Sequence, residues 1–165
     1  QRTLLTGEPM RRHQEYWRRQ LTGARLPDLT AADTPDTAWE PPGPATEPTE
    51  GAVDTVDLPE RVVAGLQALA RRERTTMFTV LLALLHAELY RTTGQPDLSV
   101  ASMFANRNRP ELRETVGLLA GMVVLRARVE PEHGFCELLR RCHGAVLGAF
   151  TYSELPFQLL PRTYT

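Results

Sequence analysis

Between Thr75 and Tyr90 the sequence places Met77, Phe78, Val80, Leu81, Leu82, Leu84, Leu85, Leu89 and Tyr90 nearly all the way round a helix. A helix that is apolar on every side must be covered on every side, so the rest of the chain has to surround it. The spacing therefore predicts a buried central helix. Its ~16 residues reach about 24 Å, short of the ~30 Å hydrocarbon core of a bilayer, and arginines flank it closely. Thr75 and Thr76 offer caps at its start, while Gly94 and Pro96 stop it.

A chain of 165 residues is one domain-sized unit or a large piece of one. Its 42% hydrophobic and 24% charged residues place it among globular domains rather than disordered, collagenous or membrane chains. With 19 basic and 20 acidic residues, net charge gives no reason to expect a nucleic-acid partner. All 19 basic residues are Arg, which reads as the coding bias of a GC-rich bacterial genome. Cys136 and Cys142, six apart in a helical pattern, lie on different faces and cannot pair. Reduced thiols and the lack of a signal-peptide pattern predict a cytoplasmic location.

The remaining segments read in order. Residues 1–26 form an N-terminal amphipathic helix over Gly7 to Leu26, anchored by Met10, Tyr16, Trp17 and Leu21, with its arginines facing solvent. Residues 27–51 hold six of the 13 prolines and read as an extended connector, with Trp39 pinning one point. Residues 52–165 form an α/β core. In it, Ala52 to Leu58 alternates as a strand, and Pro59 opens an amphipathic helix carrying Val62, Leu66 and Leu69. Phe135, Leu138, Leu139, Cys142, Val146, Leu147 and Phe150 mark a last amphipathic helix. Between these helices, Pro96 to Val129 reads as two strands separated by a polar, arginine-bearing connection.

Catalytic patterns are scarce. There is no phosphate-cradling glycine loop, nucleophile elbow, zinc signature or carboxylate pair. His86 and Glu88 are two apart on one helix and point in different directions, so His86 is expected at the helix-core boundary. Cys142 and His143 are adjacent and diverge, so no metal site is expected. The residues alone thus give an α/β domain without a stated activity.

The order of motifs adds more. YWRRQLTGA, a proline-rich passage, a strand and two helices ending RTTGQPDLSV, then ANRNRPELRETVG, VVLR and ELPF together resemble the C-terminal half of a nonribosomal peptide synthetase condensation domain. The resemblance covers nearly the whole chain. It implies one lobe of a chloramphenicol-acetyltransferase-like two-lobed fold, with helices packed on a mixed β-sheet and the N-terminal catalytic lobe absent. Such domains join the amine of a tethered acceptor to the thioester of a tethered donor in a tunnel between the lobes. By resemblance, Met103, Asn106, Arg107, Gly121 and Met122 belong to that tunnel or interface, with Arg107 favoured over Arg109. Glu111, Arg126, Tyr152, Pro156 and Phe157 take structural roles, Arg126 by satisfying a carboxylate.

Three departures accompany the resemblance. The family's His-His-x-x-x-Asp-Gly motif belongs to the other half, and His13, His86, His133 and His143 match none of it. Where the family usually has Gly-Phe-Phe-Val-Asn-Thr, this chain has Gly117, Leu118, Leu119, Ala120, Gly121 and Met122, so Gly121 replaces the usual Asn. Tyr152, Ser153, Glu154 and Leu155 stand where His-Gln-Asp usually precedes Pro-Phe. No catalytic residue is expected in the chain, and without a general base the isolated chain is expected to be inactive. The implied partners are the N-terminal lobe and acyl or peptidyl carrier proteins. No cofactor is bound directly, and the carriers' phosphopantetheine arms tether the substrates. The intact domain is expected to form amides or esters. Alternatives are an inactive platform docking a tailoring enzyme or carrier protein, and a free-standing acyltransferase of the same fold.

Overall fold

The computed structural model describes residues 7–29, 55–107 and 110–155. Most of the connector with Trp39, the first part of the expected strand at 52–58, Arg109, Pro156 and Phe157 fall outside these residues. The elements are α1 (Gly7–Leu21), α2 (Glu60–Arg72), α3 (Met77–Thr93), β1 (Asp97–Phe104), a single 3-10 turn (Pro110–Leu112), β2 (Gly121–Arg128) and α4 (Phe135–Thr151).

β1 and β2 pair antiparallel from Asp97↔Arg128 to Phe104↔Gly121. Alternation along the hairpin sends Leu98, Phe104, Val123, Leu125 and Ala127 to buried positions. A two-stranded sheet is marginal alone, and this one is supported chiefly by α4, whose Leu138, Leu139, Cys142, Val146 and Ala149 are buried. The expected mixed sheet is thus corrected: among the described residues the sheet is two-stranded and antiparallel. The cause lies in the connection, which carries one 3-10 turn and no crossover helix, so the chain doubles back on itself. Residues 55–59 form no ladder either, and Val56 and Leu58 are exposed. Alternation alone cannot make a strand where no neighbouring strand offers partners.

The central helix also departs from its sequence reading. Thr79, Val80, Leu82, Ala83 and His86 are buried at helical spacing, but Phe78, Leu81, Leu84 and Leu85 are each 39–46% exposed. Together α2, α4 and β1 cover one side of α3 and leave the other bare. Thr76 caps the helix by accepting from the Thr79 amide at 3.2 Å, and Gly94 closes it in a left-handed conformation at φ 68°. His86 is fully buried, and its Nδ1 donates to the Leu82 carbonyl at 2.9 Å. Glu88 instead pairs with Arg91 on the exposed side, so the two residues do not act together.

α1 ends at Leu21, five residues before the expected Leu26, because Gly23 adopts φ 67° and Ala24 bonds back to the Leu21 carbonyl. Trp17 and Leu21 are buried, while Leu26 is exposed. Pro59 sits just before α2, its carbonyl accepting from the amides of Val62 and Val63. Arg74, between α2 and α3, holds φ 51°, a conformation in which a β-carbon is strained.

Both cysteines are free, and Cys142 is buried in the α4 seam, where burial pushes its thiol up to about 12. Cys136 lies partly exposed beside the Arg72 guanidinium, 3.7 Å away. A thiol-reactive dye at neutral pH is therefore expected to label Cys136 rapidly and Cys142 only after denaturation. Equal native labelling of the two would contradict this packing.

Candidate functional site

The expected site residues gather around the connection between the strands. Asn106 leaves β1 in the left-handed region at φ 50° and so turns the chain. Arg107 follows, and its guanidinium donates to the carbonyls of Leu112 at 2.6 Å, Thr115 at 2.8 Å and Gly117 at 3.3 Å. One planar fork thus collects three backbone acceptors, a geometry a lysine ammonium on a flexible stem does not reproduce. Glu111 contributes its carbonyl, which accepts from the Thr115 hydroxyl at 3.0 Å. The connection is held as a wrapped loop, presenting Val116 (99% exposed) and Leu118 (91% exposed) outward. Beside it, Met103 and Met122 face each other across the hairpin and are both exposed.

Gly121 opens β2 opposite Phe104. A Cβ at position 121 would stand 2.5 Å from Phe104 Cε1 and 2.7 Å from Cζ, well inside van der Waals contact. The Phe104 ring is buried and meets Phe150 of α4 edge-on, with centroids 6.0 Å apart. No periodicity in the sequence signals this contact, because it joins residues on a strand end, a strand start and a helix.

At the other end of the hairpin, Arg126 makes a two-pronged ion pair with Asp97, at 2.7 and 2.6 Å. The same guanidinium donates to the carbonyls of Gln20 and Thr22 at 2.7 and 2.9 Å, fastening the end of α1 to the sheet. The Arg126 bond holds the Asp97 carboxyl below its ordinary 3.8. Stabilisation from this pair is then complete above that ordinary value and lost as pH falls through the lower folded value.

Tyr152 forms the second fastening of α1. Its ring stacks on Tyr16 at 4.2 Å and meets His13 edge-on, and its carbonyl accepts from Trp17 Nε1 at 2.9 Å and His13 Nδ1 at 3.1 Å. Burial pushes the Tyr16 phenol up to about 12, with Tyr152 adding to the shift. A side chain at Gly148 would run into the Tyr16 hydroxyl, so the close approach of α1 to α4 requires glycine there. Arg12, Glu15, Tyr16, Arg19, Gln20 and Tyr152 line a shallow groove of ≈ 190 Å³ on this seam.

The four histidines are dispersed. His13 serves Tyr152, His86 is enclosed in α3, His143 bonds the Thr75 hydroxyl at 2.8 Å, and His133 bonds Glu130 at 2.7 Å. Glu130, Glu132 and His133 bring their ligand atoms within 4.8 Å of one another. Glu130 already pairs with Arg141 at 2.5 Å, so arginine supplies the positive charge there. No described helix is long and apolar enough to cross a membrane.

The site is thus a helix-backed antiparallel hairpin whose connection is clamped by Arg107. The condensation-domain family matches residues 1–164, and the chain belongs to that family. It is 36% identical over 160 residues to a linear gramicidin synthase of Brevibacillus parabrevis, covering 97% of this chain and 3% of that protein. Phosphinothricin tripeptide synthetase PhsC of Streptomyces viridochromogenes is 34% identical over 145 residues, covering 88% of this chain and 13% of that protein. Among solved structures, the first condensation domain of the calcium-dependent antibiotic synthetase superposes with a TM-score of 0.78 at 24% identity, over 99% of this chain and 36% of its own. SgcC5 of Streptomyces globisporus gives 0.75 at 25% identity, over 96% of this chain and 34% of its own. The chain thus spans about a third of these structures and a small part of the synthetases.

The Arg107 clamp gives a direct expectation. Arg107→Lys is expected to free two of the three carbonyls and to open residues 110–120 to limited proteolysis, at a cost of about 1–3 kcal/mol. Unchanged cleavage would show that the loop holds itself. At the opposite end, Asp97→Asn is expected to lower stability by about 1–2 kcal/mol at pH 7, moderated by solvent screening. Urea melts should show this difference shrinking as the pH falls below the ordinary carboxylate range. A pH-independent difference would mean that the ion pair contributes nothing.

Proposed function

We propose that this chain is part of a condensation domain that joins carrier-tethered acyl or aminoacyl groups, forming an amide or ester in nonribosomal peptide or related biosynthesis. The observation that carries this reading is the family match from residue 1 to residue 164. Under it the chain belongs to the C-terminal lobe, and the catalytic histidine comes from the N-terminal lobe. Met103, Asn106, Arg107, Gly121 and Met122 then stand at the wall between the lobes. The phosphopantetheine arms of carrier proteins would present both substrates to that wall, and the free thiols suit a cytoplasmic setting.

The physical support lies in what the chain leaves uncovered. Phe78, Leu81, Leu84 and Leu85 of α3, with Met103, Met122, Val116 and Leu118 around the hairpin, are large apolar side chains left in contact with water. The remainder of the condensation domain is the cover this reading assigns to them. The Arg107 fork, occupied by its own backbone, acts by shaping the wall rather than by touching the reacting groups.

The test is product formation by the complete domain with donor- and acceptor-loaded carriers. Amide or ester product is expected from it, and none from these 165 residues alone. Carrier binding without product by the complete domain would favour a docking platform. Product with a soluble acceptor and no carrier would favour a free-standing acyltransferase.

A further inference from the structure

We propose that Phe104 is a positioning residue of the condensing site, acting through a size-exchanged pair with Gly121. The two residues are register partners at the open end of the hairpin, where β1 stops and β2 begins. The Phe104 ring lies over the Gly121 backbone so closely that a Cβ there would stand 2.5 Å from Cε1. It is the far end of a side chain that makes this contact, so a ring free to move could yield. This ring is not free: it is buried and braced edge-on by Phe150. Yielding would pull it from Phe150 and open a gap against α4.

Gly121 is therefore more than a position that has lost a side chain. Its space has been taken from across the strand, so ring and glycine form one unit of fixed volume. The unit seats the start of β2, and with it Met122, the next residue, which faces Met103 on the exposed side. An error of one residue in register, or a tilt of the strand end, would carry Met122 with it. On this account, replacement of the usual Asn is compensated within the chain and does not mark a dead site. The inference rests on the reading of the chain as part of a condensing domain.

The test is a mutant cycle in the complete domain, with Gly121→Asn, Phe104→Val and the double variant, read by turnover on loaded carriers and by melting temperature. Valine keeps the strand preference while vacating the space. Each single variant is expected to lose about tenfold or more in turnover, and the double variant to return to within about threefold of the parent, a coupling expected of residues in contact. The loss should fall on kcat rather than KM, since the pair seats the wall and does not hold substrate.

Single variants with parental turnover, or a double variant no better than the worse single, would overturn the proposal. If Gly121→Asn fails to fold, a folded and active double variant supports the pairing, and an unfolded one overturns it. Recovery of melting temperature without recovery of turnover would leave the pair purely structural and overturn the positioning role. A parent domain without turnover on any carrier pair defeats the condensing function, and the positioning role falls with it. The melting temperatures would then separately report whether the ring and glycine are coupled.

Discussion

An α-helix with apolar residues on every side sets the terms for everything packed near it. α3 has such a sequence, and this chain covers only the side holding Val80, Leu82, Ala83 and His86. The other side, from Phe78 to Leu85, stays in contact with water. Fully burying a side chain of this size is worth roughly 1.5–3 kcal/mol, and these four, at 39–46% exposed, each leave somewhat less than half of that unused. The chain has the anatomy of a part whose core is shared with something else.

Within that part, two fastenings determine the arrangement. Arg126 joins β1, β2 and the end of α1 through Asp97, Gln20 and Thr22, while Tyr152 and Gly148 seat Tyr16 and Trp17 on the end of α4. These contacts fix α1 at both places to elements more than a hundred residues away in sequence. With the frame set, the Arg107 fork and the Phe104–Gly121 pair shape the open end of the hairpin. The membership of the condensation family gives this end a setting, and the packing gives it a defined form.

How much of the structure is legible in the sequence follows from the range of each interaction. The four helices, the Thr76 cap and the Gly94 stop are governed by neighbours within a few residues, and the periodicity shows them; the hairpin strands show in their apolar pattern but depend on each other as partners, from Asp97↔Arg128 to Phe104↔Gly121. Arg126 at the end of a strand points to a carboxylate, but Asp97 as that carboxylate depends on register. The hydrophobic pattern alone does not show the exposed side of α3, because it reports what must be buried and not which chain buries it; the resemblance to half of a two-lobed domain is what implies an apolar face left for the missing lobe. Phe104 escapes notice for a related reason: its significance lies in the missing Cβ of its cross-strand partner, which spacing cannot reveal. The family resemblance locates Gly121 as a departure, and only the ring lying over it explains why glycine is there.

Under the proposed function, the exposed apolar side of α3 and the hairpin are interior surfaces of a larger condensation domain. Hydroxyl-radical footprinting compares them directly, since Phe78, Leu81, Leu85, Met103 and Met122 all carry oxidisable side chains. These residues should be heavily labelled in the isolated chain and strongly protected in the complete domain, with the already buried Trp17 unchanged between the two. Equal labelling of Phe78, Leu81 and Leu85 in both would contradict the account.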